Sequence, residues 1–198
     1  MVQWHPLIKL LHWLMAVLLL AMLGLGFGMT RLAHHAEQSG DFTLTLLGLS
    51  LFDAYQLHKS IGVFLFVSIL LRVLIRRATR QPVHNDLPVW EHRIADVVNF
   101  ALYGLMLTLP LSGWLLASAS PLGIPTIVFG LFPLPHVIEP SASAELIWAW
   151  IHFGGGIALS ILVALHVGAA FKHHFVDHDS VLHSMLPRLL STTRRNRA

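Results

Sequence analysis

The sequence predicts an all-α protein, an integral membrane bundle of four helices with both termini on the cytoplasmic side. Three observations carry that prediction. Of 198 residues, 55% are hydrophobic and only 12% are charged, where soluble domains carry about 25% charged residues. Mean hydropathy is +0.67. So little charge cannot solvate a soluble globule of this size, and a disordered chain needs the opposite composition. The apolar residues also gather into four stretches, each near the roughly 20 residues that cross a bilayer as a helix.

The first stretch covers residues 6–29, with Lys9 and His12 near its start. It is too long for the apolar core of a signal peptide, about 7–15 residues, and no clean small-residue cleavage site follows. The second stretch covers residues 57–75, the third 94–117 and the fourth 145–171. A helix is the expected form of each, because lipid offers backbone groups no partner but one another. The link over residues 118–144 is unusual, with Pro121, Pro125, Pro133, Pro135 and Pro140 among apolar residues. It is expected on the outer membrane surface or over the helix ends. Residues 191–198 read as a frayed basic tail. With no internal repeat and no second composition, residues 1–198 read as one transmembrane domain.

Orientation follows from the cations. Arg76, Arg77, Arg80 and Arg93 lie between the second and third stretches, and Lys172, Arg188, Arg194, Arg195 and Arg197 follow the fourth. Residues 118–144 contain no Lys or Arg, and the first link has only Arg31 and, at the next helix start, Lys59. Positive charge stays inside, which places both termini in the cytoplasm. Trp4, Trp13, Trp90, Trp114, Trp148 and Trp150 fall near the span ends, where indoles anchor at the interface.

Cysteine is absent and histidine abundant, at 14 residues. Disulfides, iron–sulfur clusters, thiolate zinc and covalently attached haem are therefore excluded. No basic face alternates with aromatics, so nucleic acid is not an expected partner. An ionisable residue within a span points to function, and four histidines qualify: His12, His58, His152 and His166. His34, His35, His84, His136, His178 and His183 fall in links or the tail and read as solvated.

His152 and His166 are 166 − 152 = 14 residues apart. That spacing turns through about 1400°, so both rings face nearly the same side, about 21 Å apart along the axis. His12 opens the first span on the inner side, and His58 opens the second on the outer side. By depth, His12 pairs with His166 and His58 with His152. Two imidazoles at each of two depths is what two stacked b-type haems require. The residues four positions on are Ala16, Gly62, Gly156 and Ala170, all small, which leaves room beside each ring, although small residues also serve helix packing. A single zinc or copper ion fails on distance, and two separate two-histidine metal sites would be under-ligated.

At these positions the chain resembles the bacterial cytochrome b561 family of di-haem membrane proteins. The resemblance is carried by Leu11-His12-Trp13, by Leu57-His58-Lys59-Ser60-Ile61-Gly62, and by Leu109-Pro110-Leu111-Ser112-Gly113-Trp114. It extends through Leu165-His166-Val167 to Phe171-Lys172-His173-His174-Phe175-Val176-Asp177. It implies four helices, two b haems and electron exchange with quinone. By position it makes His12 and His166 the ligands of the cytoplasmic-side haem, and His58 and His152 those of the external-side haem. The third helix supplies no ligand, with His92 just before it.

Haem propionates want cations at the membrane edge, and Lys59 on the outer level and Arg72 on the inner are the candidates. A quinone site needs a hydrogen-bond donor able to carry protons, a role histidine fills near neutral pH. His173, about two turns beyond His166, is the first choice, with Lys172 as electrostatic support. The expected function is electron transfer between membrane ubiquinone and an external partner, either a redox protein or a small molecule. Superoxide is one that the resemblance implies. A basic, otherwise uncharged pocket around Lys59 would draw in such an anion. The rival readings are an anchor subunit of a hydrogenase- or formate-dehydrogenase-type complex, and a non-redox transporter or scaffold.

Overall fold

The computed structural model describes residues 3–79 and 88–186. Arg80, His84 and the tail residues Arg188, Arg194, Arg195 and Arg197 lie outside the described residues, as does the expected frayed tail. Four long helices form: α1 (Pro6–Ser39), α2 (Leu51–Ala78), α3 (Val89–Ala119) and α4 (Ala142–Phe175). A short α5 (Val181–Met185) follows. The expected spans lie inside these helices, but the helices are longer. At about 1.5 Å per residue, the 34 residues of α1 and of α4 reach well beyond a hydrocarbon core of about 30 Å.

Local chemistry sets the ends. Pro6 opens α1, and the Leu7 N–H donates to the His5 ring at 3.3 Å. Ser50 caps α2 by accepting from the Asp53 N–H at 3.1 Å, while Arg76 and Arg77 sit at the negative end of its dipole. Ser141 caps α4, and its own N–H donates to the Ala119 carbonyl at 2.8 Å, tying the end of α3 to the start of α4. The longer helices correct three placements. His34 and His35 lie on the last turns of α1, His92 lies within the first turn of α3, and His183 is on α5. The link expected over residues 30–56 shrinks to 40–50.

Length and composition suffice for α1, α3 and α4 to cross a membrane. The second expected span, α2, does not stand with them, and it carries Lys59, Arg72, Arg76 and Arg77. Large apolar residues face outward all along the bundle, among them Phe100, Trp150, Val97 and Leu74. That surface suits lipid rather than water.

Burial is concentrated between α1 and α2. The buried residues of α1 include Ile8, Met15, Met22, Met29 and Ala36, one every seventh position. A seven-residue period is the signature of two helices wound left-handed about each other. Met15 and Met22 join Leu65 and Ile69 of α2 in the core, with Tyr103 and Met106 of α3 packed against them. The helix α3 lies against both α2 and α4. The helices α1 and α4 are not in close backbone contact among the described residues; they meet through side chains, as where the Phe27 and Phe153 rings stand edge to face 6.1 Å apart.

Two small hairpins, which the sequence reading did not anticipate, fill the links. Strands β1 (Thr45–Leu46) and β2 (Leu49–Ser50) pair antiparallel, as do β3 (Thr126–Val128) and β4 (Phe132–Leu134). The second hairpin covers the start of α2, as expected for a link over helix ends. The Gln56 amide donates to the Pro125 carbonyl at 2.8 Å and accepts from the Ile127 N–H at 3.0 Å. The Phe129 N–H donates to the Ser60 hydroxyl at 2.9 Å. At the other end of the bundle, residues 181–186 dock on the start of α1. Lys9 donates to the Leu186 carbonyl and the Trp13 indole to the Met185 carbonyl, both at 3.0 Å. Both ends of the described chain therefore lie at one end of the bundle.

Gln56→Ala removes two hydrogen bonds to the second hairpin, worth about 1 kcal/mol each. Amide exchange at Ile127 is expected to accelerate roughly 30-fold, with no change in the middle of α4. Unchanged exchange at Ile127 would detach the hairpin from this anchor.

Candidate functional site

The four in-span histidines meet in two pairs. The His12 and His166 ring centres are 6.2 Å apart, and those of His58 and His152 are 6.1 Å apart. These are the pairs that depth alone assigned. Each joins a ring on α1 or α2 to a ring on α4. The spacing has a chemical meaning. Two imidazoles bonding one metal from opposite sides, at about 2 Å per bond with each ring centre about 1.1 Å behind its nitrogen, stand about 6 Å apart. All four rings are half-buried.

The His58–His152 pair is held closely. His152 Nδ1 lies 3.1 Å from the Leu109 carbonyl and 3.0 Å from the Ser112 hydroxyl, both on α3. Neither contact was foreseen, although both residues belong to the segment that carried the resemblance. Glycines let the rings approach. A Cβ on Gly113 would stand 2.9 Å from His152 Cε1, and one on Gly26 would stand 3.2 Å from His58 Cε1. His58 Nδ1 is buried without a hydrogen-bond partner among the described residues.

A cavity of about 920 Å³ opens at this level, lined by all four long helices and the second hairpin. His58, His152, Gly62, Gly156, Leu109, Phe153 and Trp114 are on its wall. Its size falls within the usual range for cofactor sites, about 300–1,000 Å³, and its wall is largely apolar with a few polar groups, as such sites are. The small residues expected to make room do so here: a Cβ on Gly156 would meet nothing within 4 Å. Lys59 lines the cavity, half-buried, but Glu145 lines it as well. The pocket around Lys59 is therefore not otherwise uncharged, because α4 begins with an acidic first turn that favours its own dipole.

At the level of His12 and His166, the Arg72 guanidinium lies over the Tyr103 ring at 5.8 Å and is near enough to both histidines to act on them electrostatically. Its Nε is buried and has no hydrogen-bond partner among the described residues. A buried cationic donor in that condition calls for an anion. Arg76 donates to the Tyr103 hydroxyl at 3.3 Å and lies over the Trp4 ring at 5.5 Å. The paired imidazoles, the orphaned Arg72 Nε and the glycine cradles fit two haems with carboxylate-bearing edges.

Lys172 and His173 are both engaged with carboxylates. Lys172 Nζ bridges Glu91 of α3 at 2.9 Å and Asp177 at 2.7 Å. His173 Nδ1 is 2.6 Å from Asp179 and 3.2 Å from Asp177. Glu91, His173 and Asp177 bring three ligand-type atoms within 4.8 Å of one another, and the Lys172 ammonium supplies the positive charge among them. The sequence reading missed this network because its acidic members lie on separate segments, 81 residues apart for Glu91 and Lys172.

A family model described as prokaryotic cytochrome b561 matches residues 3–188. Two proteins of Escherichia coli (strain K12) are similar to the chain. Cytochrome b561 homolog 2 is 32% identical over 179 residues, covering 88% of this chain and 86% of that protein. Cytochrome b561 homolog 1 is 28% identical over 132 residues, covering 66% of this chain and 73% of that protein.

Lys172 holds two carboxylates from an exposed position, so its contribution is electrostatic and screened by salt. Lys172→Gln is expected to lower the melting temperature of detergent-solubilised protein at low ionic strength, and the difference from wild type should shrink in about 0.5 M salt. A deficit independent of salt would mean that the residue acts through packing instead.

Proposed function

Because the chain belongs to the prokaryotic cytochrome b561 family, whose membrane b-type cytochromes transfer electrons, we propose that it passes electrons across the bacterial inner membrane between an external redox partner and quinone. His12 with His166 and His58 with His152 hold one haem b each. The observation that supports this most is the pairing of four imidazoles at about 6 Å in two sets. When bound, each haem supplies a one-electron carrier through its ferric and ferrous iron. The chain's own work is to aim the ring nitrogens, keep water from them with an apolar wall, and match charge at the haem edges. Arg72 neutralises carboxylates on the inner level and Lys59 does so on the outer.

The outer partner is a small diffusing reductant such as superoxide, admitted near Lys59, where Glu145 weakens the field that an isolated ammonium would give. Ubiquinone takes or gives electrons at the inner end. There Lys172 is committed to two carboxylates and the His173 ring is held by Asp179, so the Nε2 of His173 is the group left to exchange a proton with quinone. Arg76, Arg77 and Arg93 support a cytoplasmic position for that end and for both termini, by the positive-inside rule.

Purified protein is expected to show the reduced bands of bis-histidine haem at about two haems per chain. A redox titration should shift when a quinone analogue is added. His152→Ala should remove one haem and spare the other, and His12→Ala should remove the second. Colourless protein, or loss of both haems from a folded His152→Ala variant, would overturn the pairing. Obligate co-purification with a larger enzyme would favour an anchor-subunit role instead.

The glycine cradle makes a separate prediction. Gly113→Ala pushes a methyl against the His152 ring and should cost the outer haem, whereas Gly154→Ala, with nothing within 4 Å of its Cβ, should keep both. Equal haem content in the two variants would remove any steric role for Gly113.

A further inference from the structure

We infer that Ser112, together with the Leu109 carbonyl, is the positioning residue that fixes His152 with its proton on Nδ1 and its Nε2 lone pair bare. The inference rests on His152 being a haem ligand. Three distances carry it. Ser112 Oγ is 2.8 Å from the Leu109 carbonyl, His152 Nδ1 is 3.1 Å from that same carbonyl, and Ser112 Oγ is 3.0 Å from Nδ1. Ser112 is only 4% exposed, so water does not compete for these groups.

A carbonyl oxygen can only accept. If Nδ1 carried no proton, two lone pairs would face each other at 3.1 Å. The Ser112 hydroxyl has one proton, and the Leu109 carbonyl takes it at 2.8 Å. What the hydroxyl then presents to the ring is a lone pair. Nδ1 therefore faces two acceptors and must be the donor. A neutral imidazole with its proton on Nδ1 has its free pair on Nε2, the atom that a metal can take. The opposite tautomer would need the hydroxyl to turn from Leu109 to the ring, leaving the carbonyl set against Nδ1. Pro110 and Gly113 flank the arrangement, and the missing Cβ of Gly113 lets the ring sit this close to α3.

The two rings of the outer pair are thus unequal. His58 Nδ1 has no partner among the described residues, so nothing comparable fixes its proton. A ring that donates its second N–H is a more basic ligand and is held in one orientation. More electron density at the iron favours the ferric state, so Ser112 should hold the potential of one haem down.

The test uses the purified holoprotein and needs no turnover. Ser112→Ala is expected to weaken retention of one haem by about 10-fold and to move that haem's midpoint potential upward, leaving the other in place. Ser112→Thr, which keeps the hydroxyl, should bring the potential back toward wild type. Unmoved potentials, a common shift of both haems, or equal behaviour of the Ala and Thr variants would overturn the role. His152→Ala separates this from the function it rests on: two haems retained there refutes the ligand assignment itself. One haem lost there, with Ser112→Ala silent, refutes only the positioning role.

Discussion

The structure turns on one geometric requirement, that a single helix present two imidazoles on one side at two depths. The 14-residue interval between His152 and His166 meets it, because four turns of α-helix nearly close on themselves. Everything opposite α4 follows. His12 and His58 come from the starts of two helices running in opposite directions, so they reach the two depths with each helix giving one ring to the pairs. The backbone of α4 lies against α3 but not closely against α1, and its side chains cross the remaining space. A bundle drawn in tightly on all sides would bring the rings into contact and leave no place for a flat group between them.

The same requirement explains which residues are small and which are buried. On α4 only Leu159 is fully buried, although the helix is among the most apolar in the chain. Its faces are divided among α3, the cavity and the lipid-facing surface, and these leave its other side chains partly uncovered. Side-chain burial is gathered instead where α1 winds against α2. The fold therefore separates a well-packed seam, which gives it shape, from an open interior, which gives it chemistry.

Much of this could be read from the residues in order. Hydropathy located the long helices, and histidine spacing paired the rings by depth, because both depend on local geometry that a helix makes periodic. What escaped depended on contacts between distant segments. Ser112 looks like an ordinary small residue of an apolar helix until α4 brings His152 against it. Gly26 and Gly113 carry no sign of which ring approaches them. The pairing of Glu91 with Lys172 spans helices whose relative rotation the sequence does not state. The hairpin over the start of α2 rests on Gln56, a residue with no periodic context. The charge of the outer pocket was misjudged for the same reason: Glu145 lies far along the chain from Lys59, yet both line one cavity.

The methionine seam has a bearing on durability. Met15 and Met22 are 1% and 9% exposed, so the thioethers that join α1 to α2 are screened from dissolved oxidants. Conversion to a sulfoxide would place a polar oxygen between two helices that have only dispersion forces to hold them there. The chain therefore keeps these oxidisable side chains away from its outer surface, and its working lifetime is tied to how rarely those two helices part.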